Sequence, residues 1–360
     1  MTRREIANEQ LTPRIRRAWE GRISGCQLGK PVEILSMVQG YEALQSYLSS
    51  VDSFPVRDYI GYREVAGVQR ECCRGELSRS EPDDDINYSV LALLLLEKHG
   101  AQMTTADVAR AWLNLLPAGA TFTAERAAYR VLLQRARDRF TLGGEPGFDL
   151  TECSDNKYND WIGAQIRADV YGWVCPGRPE LAAEFAQRDA ALSHRGDGVY
   201  GAMFVAALGA ALADAEPSDA LAEALEQIPS ASGAARAVRL GADLAGDANG
   251  GATIRSHYDG MSPVHTLNNL ALVVWALFSH LDDFGAAIGE AVGAGLDTDC
   301  NGATVGGLWG IQGDAIPARW TQPWQGRVAL SLAGHAEVPL ETLVQRTTRV
   351  AECLAGDGSD

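Results

Sequence analysis

Apolar residues recur three and four positions apart along most of the chain, the spacing that lines one side of an α-helix. The pattern predicts helices over residues 13–20, 87–99, 106–116, 123–139, 179–192, 199–213, 218–228, 233–245, 264–278, 284–294 and 340–354. Many are rich in Ala and Leu, which favour helix. In 123–139, Ala127 and Val131, and Ala128 and Leu132, stand four apart with Arg between them, the pattern of an outer helix. Residues 270–278 are apolar all round, which places them at the centre of the core. Period-two alternation is missing except in short stretches of 54–68. The reading is therefore all-α: a single multi-helix globular domain over 1–356, with residues 357–360 a frayed tail. No internal repeat or low-complexity linker divides it. Three segments, 50–79, 143–160 and 247–263, carry Gly, Pro, Asp and Asn without helical period. Irregular stretches of that length inside a compact domain are often binding loops.

Charge narrows the partners. The 47 acidic and 31 basic residues leave a formal net charge of -16. Such a surface repels phosphate backbones, which argues against nucleic acid as a direct partner. Lysines occur only at 30, 98 and 157, so nothing suggests Schiff-base chemistry. The seven cysteines are odd in number and form no C-x-x-C, which suits reduced thiols in the cytoplasm better than a disulfide framework or a zinc site. The N-terminal M-T-R-R-E-I-A-N-E-Q lacks the apolar segment of a signal peptide. The longest apolar runs, 90–96 and 270–278, fall short of the about 20 residues that cross a bilayer, so no membrane partner is expected.

The candidate chemistry is carboxylate. L-D-T-D-C-N-G, from Leu296, opens like an EF-hand loop, but its twelfth position, which needs a bidentate Glu, is Leu308. A second cluster, S-E-P-D-D-D-I-N-Y-S-V-L, begins at Ser80. Pro82 suits a first helical turn, with Ser80 or Glu81 as cap. A helix dipole favours acidic residues there, but three adjacent carboxylates repel one another unless a cation lies among them. The helix continues into 90–96, so its acidic end is anchored at the rim of a core. Two such acidic ends can bracket metal ions, and hard oxygen donors select Mg²⁺, Mn²⁺ or Ca²⁺ over zinc. A third piece is G-R-I-S-G-C-Q-L-G-K-P-V-E, from Gly21, where Gly25, Gly29 and Pro31 are expected to end a helix before Glu33. A fourth, L-S-H-R-G-D-G, puts His194 between two helices.

In their order and wide spacing these four pieces resemble the ADP-ribosylglycohydrolase family. G-C-Q-L-G-K-P-V-E is similar to that family's G-D-x-x-G-x-x-x-E, with Cys26 in the Asp position. Asp83-Asp84-Asp85-Ile86 is similar to T-D-D-T, Ser193-His194 to a mid-chain S-H or T-H, and Asp297-Thr298-Asp299-Cys300-Asn301 to D-T-D-T-N. The resemblance implies an all-α fold with a binuclear Mg²⁺ centre, or Mn²⁺ in its place. It implies metal ligation by Asp83, Asp84, Asp85, Asp297, Asp299 and Cys300, with Asp83 and Cys300 standing where the family has hydroxyl ligands. Glu33, Asp84 and Asp299 are the expected catalytic residues, Glu33 in acid–base work or substrate gating. Glu33, His194 and Asn301 are expected at the substrate.

The reaction so implied is hydrolysis at the anomeric carbon of a ribose, in an ADP-ribosylated protein or a small ribosyl compound. Breaking that bond builds positive charge on the sugar ring, and metal ions can orient the ring and activate water. Residues Tyr158, Trp161, Arg167, Arg255, His257 and Tyr258 are placed near the pocket. Arg and Tyr suit a pyrophosphate and an adenine. Competing readings are a nucleoside or ribosyl-metabolite hydrolase, a catalytically silent ligand-binding protein on the same scaffold, and an all-α terpene synthase, whose second acidic motif is not visible.

Overall fold

The computed structural model describes residues 8–356; the tail expected at 357–360 lies outside the described residues. Helices account for nearly all the regular structure. In chain order they are α1 (Asn8–Gly29), α2 (Glu33–Ser50), α3 (Asp84–His99), α4 (Thr105–Leu115), α5 (Thr123–Arg135), α6 (Asp169–Trp173), α7 (Pro179–Ala190) and α8 (Asp197–Leu212). There follow α9 (Pro217–Glu226), α10 (Gly233–Asp243), α11 (Gly250–His257), α12 (Thr266–Ser279), α13 (Phe284–Gly293), α14 (Thr298–Gln312) and α15 (Ala318–Thr321). A hairpin of β1 (Arg327–Leu332) and β2 (His335–Pro339) precedes α16 (Leu340–Gly356). One buried apolar cluster runs from Leu11 on α1 to Leu354 on α16. The all-α class holds. None of the described helices is long and apolar enough to cross a membrane.

The centre of the molecule is the pair α1 and α14. Here the structure departs from the sequence expectation at Gly25, which lies inside α1; the helix does end at Gly29, before Pro31 and Glu33, as expected. Gly21, Gly25 and Gly29 recur every four residues and so form one stripe. Gly302, Gly306 and Gly310 do the same on α14. The stripes meet antiparallel: a Cβ on Gly21 would lie 2.0 Å from the Gly306 carbonyl oxygen, and one on Gly25 1.9 Å from that of Gly302. Glycine costs each helix about 0.5–1 kcal/mol per position relative to Ala, and backbone contact between the two helices offsets that cost. At Gly25 propensity reads a helix break where tertiary packing keeps the helix going.

Four further departures bear on the site. Helix α2 follows α1 after one 3-10 turn over Lys30–Val32, so Glu33 opens a helix. Helix α11 occupies part of the segment 247–263 that was read as irregular. The cap of α3 is Asp83, whose side chain accepts from the Asp85 amide, not Ser80 or Glu81. The hairpin was not anticipated, because V-A-L-S-L is short and buried on both faces, so it shows little alternation. Ser80 bonds to β1 through its amide to the Arg327 carbonyl (2.8 Å) and its carbonyl to the Ala329 amide (3.0 Å). The hairpin thereby fixes the segment that leads into the acidic start of α3.

Candidate active site

A cavity of about 850 Å³ opens where the start of α2, the start of α3 and the start of α14 meet. Glu33, Asp83, Asp84, Asp297 and Cys300 line it, together with Lys30, Asn87 and Glu125. Its other walls are largely apolar and include Ile34, Met37, Phe122, Trp161, Ile162 and Val264.

Three local arrangements bring the carboxylates together. At the first, Gly29 packs on Thr298, and the Thr298 hydroxyl donates to the Gly29 carbonyl (2.8 Å). This contact fixes the α1–α2 junction, and with it Glu33, against the D-T-D segment. At the second, Asn269 on α12 holds the same segment from behind. Its Oδ1 accepts from the Asp297 amide (3.2 Å) and from Asn301 Nδ2 (2.8 Å), while its own Nδ2 donates to the carbonyls of Pro263 and His265 (both 2.8 Å). At the third, Arg22 on α1 is fully buried and reaches Asp85 Oδ1 (3.1 Å), Asp169 Oδ2 (2.7 Å) and Ser89 Oγ (2.6 Å).

Among the described residues, three overlapping groups have ligand atoms within 4.8 Å of one another: Cys26, Asp83 and Asp85; Asp85, Asp299 and Cys300; and Glu33, Asp297 and Asp299. Asp84 belongs to none of these groups and instead faces the cavity. Asp85 Oδ2, Asp297 Oδ1 and Asp299 Oδ1 are buried without a hydrogen-bond partner. A buried carboxylate oxygen left in that state is costly unless a cation meets it. Hard oxygens with free lone pairs suit Mg²⁺ or Mn²⁺, whereas the thiols of Cys26 and Cys300 are poor donors to Mg²⁺.

The electrostatics record the crowding. Burial and then Asp297 and Asp83 push the Glu33 carboxyl up to about 8. Burial, with Asp83 and Glu33, raises Asp84, and burial, with Glu33 and Asp83, raises Asp299. Asp85 is raised by burial in spite of Arg22. Asp83 behaves in the opposite sense. Burial disfavours its charge, but the Lys30 ammonium at 2.5 Å and the Asp85 amide outweigh burial and hold it low. Burial, and next Asp297, pushes the Cys300 thiol well up, so it stays protonated without a metal.

The remaining predicted residues sit behind the walls. Asn301 is buried on α14 against Asn269. His194 is 1% exposed and does not line the cavity; its Nδ1 pairs with Ser193 Oγ (2.8 Å), and its Nε2 lies 3.8 Å from Glu125 Oε1. Of the residues expected near the pocket, Trp161 lines it. Arg167 is buried in ion pairs with Glu125 and Asp189 (both 2.7 Å). Arg255 lies over the Tyr41 ring, and Tyr258 packs edge-on to His257. Sequence reasoning missed Arg22, Asp169, Asn269 and Glu125. The available signal was a charge within an apolar run, as at Asp169 in R-A-D-V-Y-G-W and Arg22 beside the glycine stripe. Such a charge is buried only when paired.

His194 gives a pH prediction. Burial, and then the Arg167 charge, drops its pKa well below the ordinary value. The unfolded chain takes up a proton below about pH 6.5 that the native state refuses, so stability is lost as pH falls from there toward the lowered value. The slope approaches about 1.4 kcal/mol per pH unit. In urea melts at pH 7.5 and 5.5, the stability gap between wild type and His194→Gln should narrow at the lower pH. A constant gap would contradict a buried neutral imidazole.

A multi-helix scaffold that gathers carboxylates from distant helix starts at one cavity defines an α-helical protein with a candidate divalent-metal centre. The sequence profile of the ADP-ribosylglycohydrolase family matches residues 7–350, and the chain belongs to that family. Among solved structures it is similar to an "ADP-ribosylglycohydrolase-related protein complex", with a TM-score of 0.61, 18% identity, 96% of this chain covered and 99% of that chain. At that identity the likeness concerns the fold. No curated protein matches it in sequence.

Proposed function

We propose that the protein is a divalent-metal-dependent hydrolase that cleaves the glycosidic bond at the anomeric carbon of a ribose, in an ADP-ribosyl conjugate. The observation that carries this reading is the set of partnerless buried oxygens on Asp85, Asp297 and Asp299 beside the large cavity. Mg²⁺, or Mn²⁺ in its place, would be held by Glu33, Asp297 and Asp299, with Asp83, Asp84, Asp85 and Cys300 as the further candidates. When bound, such an ion orients ribose hydroxyls and lowers the pKa of a water.

The chain's own residues do the rest. Glu33 and Asp84 lie at the cavity surface, where a substrate can reach them. Glu33, raised to about 8 without an ion, gives up its proton on taking one. Asp84, raised by burial and by Asp83 and Glu33, stands outside the ligand groups and is the candidate general acid. Asp299 shapes the charge beneath the sugar. His194 acts through Glu125, and Asn301 through the D-T-D segment it braces; both are positioning residues in this reading. Apolar walls around Phe122 and Trp161 exclude water and offer rings on which a base can stack. A reducing cytoplasm suits the seven unpaired cysteines.

One observation favours a second reading, hydrolysis of an uncharged nucleoside or small ribosyl metabolite. Among the described residues, Lys30 is the sole basic side chain on the cavity wall, and it is engaged by Asp83. A pyrophosphate would have no Arg to meet it there. A hydrolysis screen with and without Mg²⁺ separates the readings. Release of ADP-ribose from modified peptides supports the first, and cleavage of free nucleosides alone supports the second. No Mg²⁺-dependent cleavage of either class rules out both.

A further inference from the structure

We propose that the Lys30 ammonium is a resident cation of the carboxylate centre, standing where a second divalent ion would otherwise sit, so that the centre takes one ion at Glu33, Asp297 and Asp299. The inference rests on the metal-dependent reading above.

The carboxylates divide into two halves. Asp83 and Asp85, at the start of α3, already have cations: Lys30 Nζ lies 2.5 Å from Asp83 Oδ2, and Arg22 Nη2 lies 3.1 Å from Asp85 Oδ1. The second pair is fully buried, with no side-chain exposure on either member, and the first is part-buried at the cavity wall, with side-chain exposures of 12% and 2%. Glu33, Asp297 and Asp299 form no ion pair among the described residues, and Asp297 Oδ1 and Asp299 Oδ1 have no partner at all. Asp85 Oδ2 also lacks a hydrogen-bond partner and Asp84 forms no ion pair, but among the described residues the α3 side holds two cations, Lys30 and Arg22, and the side of Glu33, Asp297 and Asp299 holds none.

Lys30 is built into place. It directly follows Gly29, whose backbone touches Thr298, and it precedes Pro31, which is buried and has a restricted φ. The stem that carries the amine is fixed by the same contact that fixes Glu33. A divalent ion beside Asp83 would have to displace this ammonium, or accept a like charge within a few ångströms at low dielectric, and both are unfavourable. The neighbouring thiols, Cys26 near Asp83 and Cys300 near Asp299, do not restore affinity for a hard ion on that side.

The test counts Mn²⁺ on the full chain, by calorimetric titration and by electron paramagnetic resonance. Wild type and Lys30→Arg should bind one Mn²⁺ per chain with the spectrum of an isolated ion. Lys30→Met should bind two, with the spectrum of an exchange-coupled pair. Two ions or a coupled spectrum in wild type would overturn the inference and leave the metal-dependent reading intact. Lys30→Met stopping at one ion would also overturn it. No saturable Mn²⁺ on wild type would overturn both. Should Lys30→Met not fold, the wild-type count and spectrum still decide.

Discussion

Asp299→Asn is expected to abolish Mg²⁺-dependent turnover, by roughly a thousandfold or more, equal to about 4 kcal/mol of transition-state stabilisation, while the metal-free variant melts no lower than wild type. Asp299 belongs both to the group with Glu33 and Asp297 and to the group with Asp85 and Cys300. Losing it opens both. Its amide replacement keeps the shape of the side chain, so the α14 start need not move. Burial and the charges of Glu33 and Asp83 make an ionised Asp299 unfavourable without a cation. A neutral side chain relieves that repulsion. The prediction thus has two signs, lost ion binding and unchanged or raised metal-free stability. Turnover and melts with chelator and with Mg²⁺ check both. Wild-type activity in this variant would remove the metal site from the account.

Gly25→Ala is expected to lower stability by about 3 kcal/mol or more and to weaken ion binding with it. The added methyl carbon would sit 1.9 Å from the Gly302 carbonyl oxygen and 2.4 Å from its carbon, a backbone obstacle that no side-chain rotation relieves. The helices must part, and overpacking of this kind costs about 1–3 kcal/mol even where flexible side chains can yield. Parting α1 from α14 also loosens Gly29 on Thr298, so Glu33 shifts relative to Asp297. Gly119→Ala, with no atom within 4 Å of its added carbon, should stay within about 0.5 kcal/mol of wild type. Equal urea midpoints for Gly25→Ala and wild type would show that the close contact does not hold the core together.

The acidic ends were legible because their signal is local. D-D-D before an apolar run, and D-T-D before small residues, each state an excess of negative charge that a helix dipole does not require. The structure puts both at one cavity. Glu33 was legible only through resemblance, since a lone Glu after a Pro has many uses. Arg22 and Asn269 were not legible: Arg22 meets Asp85 and Asp169 across 63 and 147 positions, and Asn269 meets Asn301 across 32. No short pattern encodes such pairings. The long α1 was misread for the converse reason. Gly25 says "end" locally, and only the matching stripe on α14 says otherwise. The hairpin after Trp324 escaped because a short strand buried nearly throughout carries no readable period.

The most direct test is a crystal of the full chain soaked in Mn²⁺ and mapped by anomalous scattering. The account predicts a peak bounded by Glu33, Asp297 and Asp299 at the floor of the cavity. A map with no peak there, or with manganese held only by surface carboxylates, would contradict it.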